Sequence, residues 1–271
     1  MSIDWSEINN YYGKIAHLYD ETRPLPPQVK KIICDRVLEL TQATEKTKFL
    51  EPGIGTGRIF LPIIEKGYSY TGIDISEAMM ERLKSKFQKL PENLTLIRGN
   101  AANLPFEDRS FDVIITTHIL QCLEDPVTGL AEIHRVLKPE GIYLACEHLH
   151  CDYQEKFHQA FKNIIAKYQK ETQPNRDKIF PFGEELKTNL AKMGAEVEII
   201  TAAKWQHIQT VKELFNAYRS RAFGLCWLID EADFERAIKE FKTWCDRNYE
   251  SENEILSDEL KFDIIVAKNW Y

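Results

Sequence analysis

The sequence predicts an α/β domain on a mainly parallel sheet, and three observations carry that prediction. Short apolar strands alternate with segments of helical periodicity, a glycine-rich turn joins the first strand to the helix after it, and 44% of the 271 residues are hydrophobic, enough to close one sizeable core.

The elements follow in order. Residues 48–52 (Lys-Phe-Leu-Glu-Pro) form a short apolar strand that runs into Gly53-Ile54-Gly55-Thr56-Gly57, after which Ile59, Phe60, Ile63 and Ile64 recur at helical spacing. A second strand is expected over 68–75, a helix over 77–89 carrying Met79, Met80, Leu83 and Phe87, and a third strand over 94–98. The fourth strand, 111–117, has the continuous run Val113-Ile114-Ile115 expected of a strand covered on both faces. A helix over 126–137 ends before Lys138-Pro139-Glu140-Gly141, a proline and glycine stop signal, and a fifth strand fits 142–147. A helix at 184–193 and strands at 197–201 and 262–267 bring the strand count to seven.

Two segments stand outside the alternation. Residues 1–35 end in Arg23-Pro24-Leu25-Pro26-Pro27 and an amphipathic helix with Val29, Ile32, Ile33 and Val37. Residues 204–258 separate the last two strands and hold Trp205, Phe215, Tyr218, Phe223, Trp227, Phe234, Phe241, Trp244 and Tyr249. Within them Asp230 is placed to cap a helix with Phe234, Ile238, Phe241 and Cys245 on one face. These aromatics are either plain core or a helical lid over the sheet's carboxyl edge. The chain is thus expected as one domain over 1–271, with a flap at 1–35 and a lid at 204–258.

Lys and Arg total 35 against 42 Asp and Glu, a net charge of −7, which argues against nucleic acid and anionic membrane as partners. No run of 18 apolar residues and no leader-like N-terminus is present, and the six cysteines have no C-x-x-C pair; a cytoplasmic protein with reduced thiols is expected.

The glycine loop carries the chemistry. A dinucleotide site has G-x-G-x-x-G, but here position 58 is Arg and the third glycine comes one residue early, at 57. With Glu51 before the loop and Asp74 at the end of the second strand, the pattern suits a nucleoside: small residues let the backbone approach a ligand, and a carboxylate accepts both hydroxyls of a ribose.

Five blocks then occur in order: Leu50-Glu51-Pro52-Gly53-Ile54-Gly55-Thr56-Gly57; Gly72-Ile73-Asp74-Ile75-Ser76; Gly99-Asn100-Ala101-Ala102-Asn103-Leu104-Pro105-Phe106; Ser110-Phe111-Asp112-Val113-Ile114 with His118-Ile119-Leu120; and Glu132-Ile133-His134-Arg135-Val136-Leu137-Lys138-Pro139-Glu140-Gly141. In these the sequence resembles the class I S-adenosylmethionine-dependent methyltransferases, in particular the small-molecule branch that includes the ubiquinone and menaquinone biosynthesis enzymes. The resemblance covers 50–147 firmly and 182–201 loosely, and Tyr12 through Arg23 is similar to the family's N-terminal flap. It implies a Rossmann-like three-layer sandwich with the last strand antiparallel, and S-adenosyl-L-methionine as cofactor.

By the same resemblance, Gly53, Gly55 and Gly57 pass under the methionine part of the cofactor, and Glu51 fixes the loop and the amino group. Asp74 holds the ribose, Ile75 and Met79 lie against the adenine, Asn100 and Ala101 meet its edge, and Leu104 its face. Thr117 and His118 lie beside the sulfonium, and Tyr19 and Arg23 close over the cofactor, Arg23 on its carboxylate. The family usually has Asp where this chain has Asn100, which exchanges a charge-assisted bond for a neutral one.

Methyl transfer needs a base only for hydroxyl or acidic carbon acceptors. The candidates are His118, Glu147, His148 and His150, with His118 and His148 foremost; no metal site is expected. The acceptor is expected to be a small molecule, carboxylate-bearing or aromatic, with Arg219 and Arg221 on the lid as candidate carboxylate anchors. Competing readings are an NAD-linked oxidoreductase and a cofactor-binding module without catalysis.

Overall fold

Helix boundaries here are set by local chemistry that the sequence displays. In the computed structural model, which describes residues 11–148, 152–169 and 182–270, α1 (Pro27–Thr41) opens on Pro27 after Pro26, where a missing N–H costs nothing. The helix α3 (Glu77–Lys84) is capped by the Ser76 hydroxyl, which accepts from the Met79 amide, and α4 (Pro126–Val136) by Asp125 with Pro126 at its first position.

The strands β1 (Lys48–Pro52), β2 (Ser69–Asp74), β3 (Leu94–Arg98), β4 (Phe111–Thr117), β5 (Leu137–His148), β6 (Glu196–Thr210) and β7 (Ile255–Lys268) form one sheet in the order β3-β2-β1-β4-β5-β7-β6. Pairs from β3 to β5 are parallel, while β7 runs antiparallel to both β5 and β6. This is the Rossmann-like architecture with an antiparallel last strand that the sequence predicted.

Alternation along the central strands divides the core. Phe49, Tyr70, Val113, Ile115 and Leu144 pack against α1, α2 (Leu61–Glu65) and α3; Leu50, Ile73, Ile114, Tyr143 and Ala145 pack against α4 and α6 (Glu184–Lys192). A third cluster joins α5 (Asp152–Ile165), α7 (Val211–Arg219) and α8 (Glu231–Asn248).

Three boundaries differ from the sequence reading. First, the segment expected as a lid over 204–258 is strand at both ends: β6 continues to Thr210 and β7 begins at Ile255, paired Thr210↔Ile255, so the helical insert lies between them. Trp205 and His207 alternate inward along this ribbon, a period-2 signal hidden among helix-forming neighbours. Second, Lys138–Gly141 ends α4 yet belongs to β5, where a register shift between Phe111 and Val113 absorbs the extra residues. Third, α5 is an element that the expected alternation does not contain; its Phe157, Phe161, Ile164 and Ile165 share one buried face. The flap expected at 1–35 is described from residue 11; its last part is α1, which packs on the sheet. Asp230 does cap α8, accepting from the Asp233 amide.

Candidate active site

The sheet order reverses direction between β1 and β4, which opens a crevice at the carboxyl ends of the strands. A cleft of about 690 Å³ lies there, and ten residues singled out from the sequence line it: Tyr19, Gly53, Gly55, Asp74, Ile75, Met79, Asn100, Ala101, Thr117 and His118.

The loop after β1 is shaped by glycine. Gly57 has φ +63°, and a Cβ there would lie 2.4 Å from Leu83 Cδ1 of α3, so this glycine serves close packing of loop on helix and does not line the cleft. Gly53 has φ +76°, and a Cβ would meet Ile119 at 2.8 Å.

Asp74 ends β2 with its carboxylate fixed from both sides: the Gly55 amide donates to Oδ2 at 2.8 Å and the Ser76 amide to Oδ1 at 2.8 Å. Each oxygen keeps a lone pair for a further donor. Burial raises its pKa, and the Ser76 and Gly55 amides oppose that rise. Thr117 Oγ1, at the end of β4, is buried without a hydrogen-bond partner among the described residues and belongs to the cleft lining. Next to it His118 adopts φ +53°, a left-handed conformation that costs a residue with a side chain.

Three other expected residues, Glu51, Leu104 and Arg23, lie off the cleft. Glu51 is 4% exposed beneath the loop, where it accepts from the Tyr70 hydroxyl at 2.7 Å; burial, with Asp74 nearby, pushes its carboxyl up to about 8. Leu104 is core, 2% exposed, because Glu132 accepts from its amide and Arg135 donates to its carbonyl, pinning the loop after β3. Arg23 turns to the Ala222 carbonyl at 2.9 Å and lies over the Tyr19 ring at 4.3 Å. His148 pairs through its backbone with Phe262, but its side chain, like His150, lies outside the described residues. Asn100 lines the cleft while its Oδ1 accepts from the Ala102 amide at 2.9 Å. The anchors expected at Arg219 and Arg221 are also displaced: Arg219 is exposed on α7, and Arg221 pairs with Glu231 over the Phe234 ring.

Sequence reasoning missed a latch between flap and glycine loop. Asp20 takes the Thr56 hydroxyl at 2.5 Å on one oxygen and the Lys86 ammonium at 2.5 Å on the other; Lys86 also donates to the Thr56 carbonyl, and Arg58 to the Arg23 carbonyl at 2.8 Å. The non-glycine at 58, read only as a departure from the dinucleotide pattern, was the signal. Tyr12 and Cys122, bonded at 3.3 Å, complete the cleft's outer wall.

A small hollow with room for little more than a water lies beside His118, lined in part by Thr116, His118, Ile119, Gln121, Glu147, Phe182 and Leu186. It shares His118 and Ile119 with the larger cleft.

Residues 50–145 match the family model described as a methyltransferase domain. Demethylmenaquinone methyltransferase of Staphylococcus epidermidis is 30% identical over 184 residues, covering 66% of this chain and 73% of that protein. Among solved structures, the YcgJ protein of Bacillus subtilis superposes with a TM-score of 0.59 at 18% identity, over 87% of this chain and 97% of that one. The cyclase SpnF superposes with a TM-score of 0.59 at 17% identity, over 96% and 95%. A glycine loop, an acid ending β2 and this sheet order, together with that relative, define the class: the chain belongs to the class I S-adenosylmethionine-dependent methyltransferases. The likeness to a cyclase shows that the fold alone does not set the reaction.

Proposed function

We propose that the chain moves the methyl group of S-adenosyl-L-methionine to a small-molecule acceptor, with the cofactor in the 690 Å³ cleft. The observation that carries this reading is Asp74, whose two oxygens are oriented by backbone amides and retain lone pairs for the two ribose hydroxyls. The unpartnered Thr117 hydroxyl supports the fit, being a buried polar atom that a ligand would satisfy.

When bound, the cofactor supplies a sulfonium whose methyl leaves behind a neutral thioether. The chain's own residues position and enclose. The loop at Gly53 and Gly55 lets the backbone approach the methionine part, Met79 and Ile75 give the adenine an apolar bed, and Ala101 and Asn100 border its edge. Thr117 and His118 stand on the reacting side, and Tyr12 and Tyr19 close the cleft from the flap. Glu51 and Gly57 act from beneath, one through Tyr70 and one through α3. Orientation and exclusion of water supply most of the rate, since well-oriented groups can lower a barrier by roughly 7–11 kcal/mol.

Similarity to demethylmenaquinone methyltransferases favours an aromatic, weakly polar acceptor. No helix among the described residues is long and apolar enough to cross a membrane. A cytoplasmic site of action suits the free cysteines 34, 122, 146, 226 and 245.

Isothermal titration with S-adenosylmethionine and, separately, NAD tests the reading. Binding of the first alone is expected; binding of NAD without S-adenosylmethionine overturns it. Methyl transfer to any member of an acceptor panel removes the non-catalytic alternative.

A further inference from the structure

The flap has two sides, and only one of them faces the cofactor cleft. Tyr12 and Tyr19 line the cleft, whereas Tyr11 and Arg23 do not. Each tyrosine in the wall is backed by one residue of the second kind. The Arg23 guanidinium carbon lies 4.3 Å from the centre of the Tyr19 ring, and the rings of Tyr11 and Tyr12 are 4.9 Å apart. Both backing residues end on one atom of the insert, because the Ala222 carbonyl accepts from the Tyr11 hydroxyl at 3.1 Å and from Arg23 Nη2 at 2.9 Å. A carbonyl oxygen has two lone pairs, so this one is fully used.

Local chemistry fixes that carbonyl in place. After α7 the Arg221 amide donates to the Tyr218 carbonyl and the Ala222 amide to the Ala217 carbonyl, the pair of bonds that ends a helix on a left-handed residue. Glycine is the usual residue there, yet Arg221 holds φ +57°. Contacts around it offset the strain: its guanidinium lies 3.9 Å from the centre of the Phe234 ring and pairs with Glu231 at 3.1 Å, and its carbonyl accepts from Trp227 Nε1 at 2.8 Å. Ala222 itself is fully buried.

Resting on the methyl-transfer reading above, we propose that Tyr11 and Arg23 are positioning residues: held by the Ala222 carbonyl, they seat Tyr12 and Tyr19 as the outer wall over the cofactor. Arg23 acts through the Tyr19 ring and not on the cofactor's carboxylate, since its Nη2 is on Ala222 and its Nη1 on the Thr22 hydroxyl at 3.0 Å. The hold passes through one backbone atom beyond the end of α7, outside the ring core of the insert. That end of α7 thereby takes part in retaining the cofactor, although none of its residues lines the cleft.

The test follows release of S-adenosylhomocysteine by stopped-flow displacement in wild type, Tyr11→Phe, Arg23→Met and Arg23→Lys, each well below its melting temperature. Loss of the hydroxyl's bond should speed release about fivefold in Tyr11→Phe, and loss of a charged donor with its ring contact about 30-fold in Arg23→Met, with Arg23→Lys recovering part. A second readout is alkylation of the cleft thiol Cys122 by iodoacetamide without cofactor, mapped by peptide mass spectrometry. The Tyr12 hydroxyl covers Cys122 Sγ at 3.3 Å, so labelling there should rise in Tyr11→Phe and Arg23→Met while the buried thiols Cys34 and Cys146 keep the wild-type rate. Equal rises at all three thiols mean general loosening and overturn the proposal, as does release at the wild-type rate in both variants. An effect confined to Arg23→Met, with Tyr11→Phe and Cys122 labelling unchanged, puts the guanidinium on the cofactor's carboxylate and overturns it as well. Failure of the wild type to bind S-adenosylhomocysteine overturns the methyl-transfer reading instead.

Discussion

The cleft at the carboxyl ends of β1 and β4 mixes glycine backbone at Gly53, Gly55 and Gly99 with polar and apolar side chains such as Asp74, Thr117 and Met79, whereas the helical insert between β6 and β7 packs aromatic rings on one another and on α5. Phe241 sits 4.9 Å from Phe161, 5.0 Å from Tyr218 and 5.6 Å from Trp244, ring to ring. None of these four lines either cavity. The insert's α7 and α8 therefore share one core with α5, which precedes β6, and the insert meets the flap where Tyr11 and Arg23 both donate to the Ala222 carbonyl. Binding chemistry and packing chemistry occupy different places, and the flap lies between them.

If that separation is right, Phe241→Ala should cost about 3–5 kcal/mol of stability as an aromatic cavity mutant. Its affinity for S-adenosylhomocysteine, titrated below its melting temperature, should match wild type; a large loss of affinity would merge the two regions. Asp74→Ala is the reverse case. Losing two ribose hydrogen bonds to a carboxylate should weaken cofactor binding by ~2–4 kcal/mol, about 30- to 1,000-fold, with little change in melting temperature. Gly57→Ala sharpens the comparison on the cofactor side, because it acts by packing: a positive φ and the 2.4 Å approach to Leu83 should cost about 1–3 kcal/mol of stability, read by denaturant titration.

Much of the cofactor half was legible because its constraints are local. A glycine loop after an apolar strand and an acid ending the next strand announce their spacing in the sequence, and ten of the fifteen expected site residues line the cleft; Arg23, Glu51, Gly57 and Leu104 do not, and the side chain of His148 lies outside the described residues. The exceptions share a cause. Leu104 is turned inward by Glu132 and Arg135, some thirty positions away, and Arg23 is claimed by a carbonyl on the insert, 199 positions away. Contacts of that span leave no periodicity to read. The β6–β7 ribbon was lost for a different reason: its alternation of Trp205 and His207 is written in residues equally at home in a helix.

The latch at Asp20 ties the flap to the glycine loop and so tests the flap's role most finely. Asp20 is buried enough for desolvation to raise its pKa, yet the hydrogen bonds from Lys86 and Thr56 outweigh that and hold it below the ordinary carboxylate value of 3.8. A depressed folded pKa means the latch is fully present above the unfolded value and is lost as pH falls through the folded one. Asp20 and Lys86 keep 25% and 20% of their side-chain surface exposed, so water screens the pair and its worth is about 1 kcal/mol. Asp20→Asn should accordingly speed S-adenosylhomocysteine release about fivefold in stopped-flow displacement at pH 7, with melting temperature nearly unchanged. The wild type should approach the variant's release rate in high salt, and again as pH drops below 4. An Asn variant that releases cofactor at the wild-type rate would mean that the flap stays closed through Tyr11, Arg23 and Arg58 alone, and that the glycine loop does not need Asp20 to hold it down.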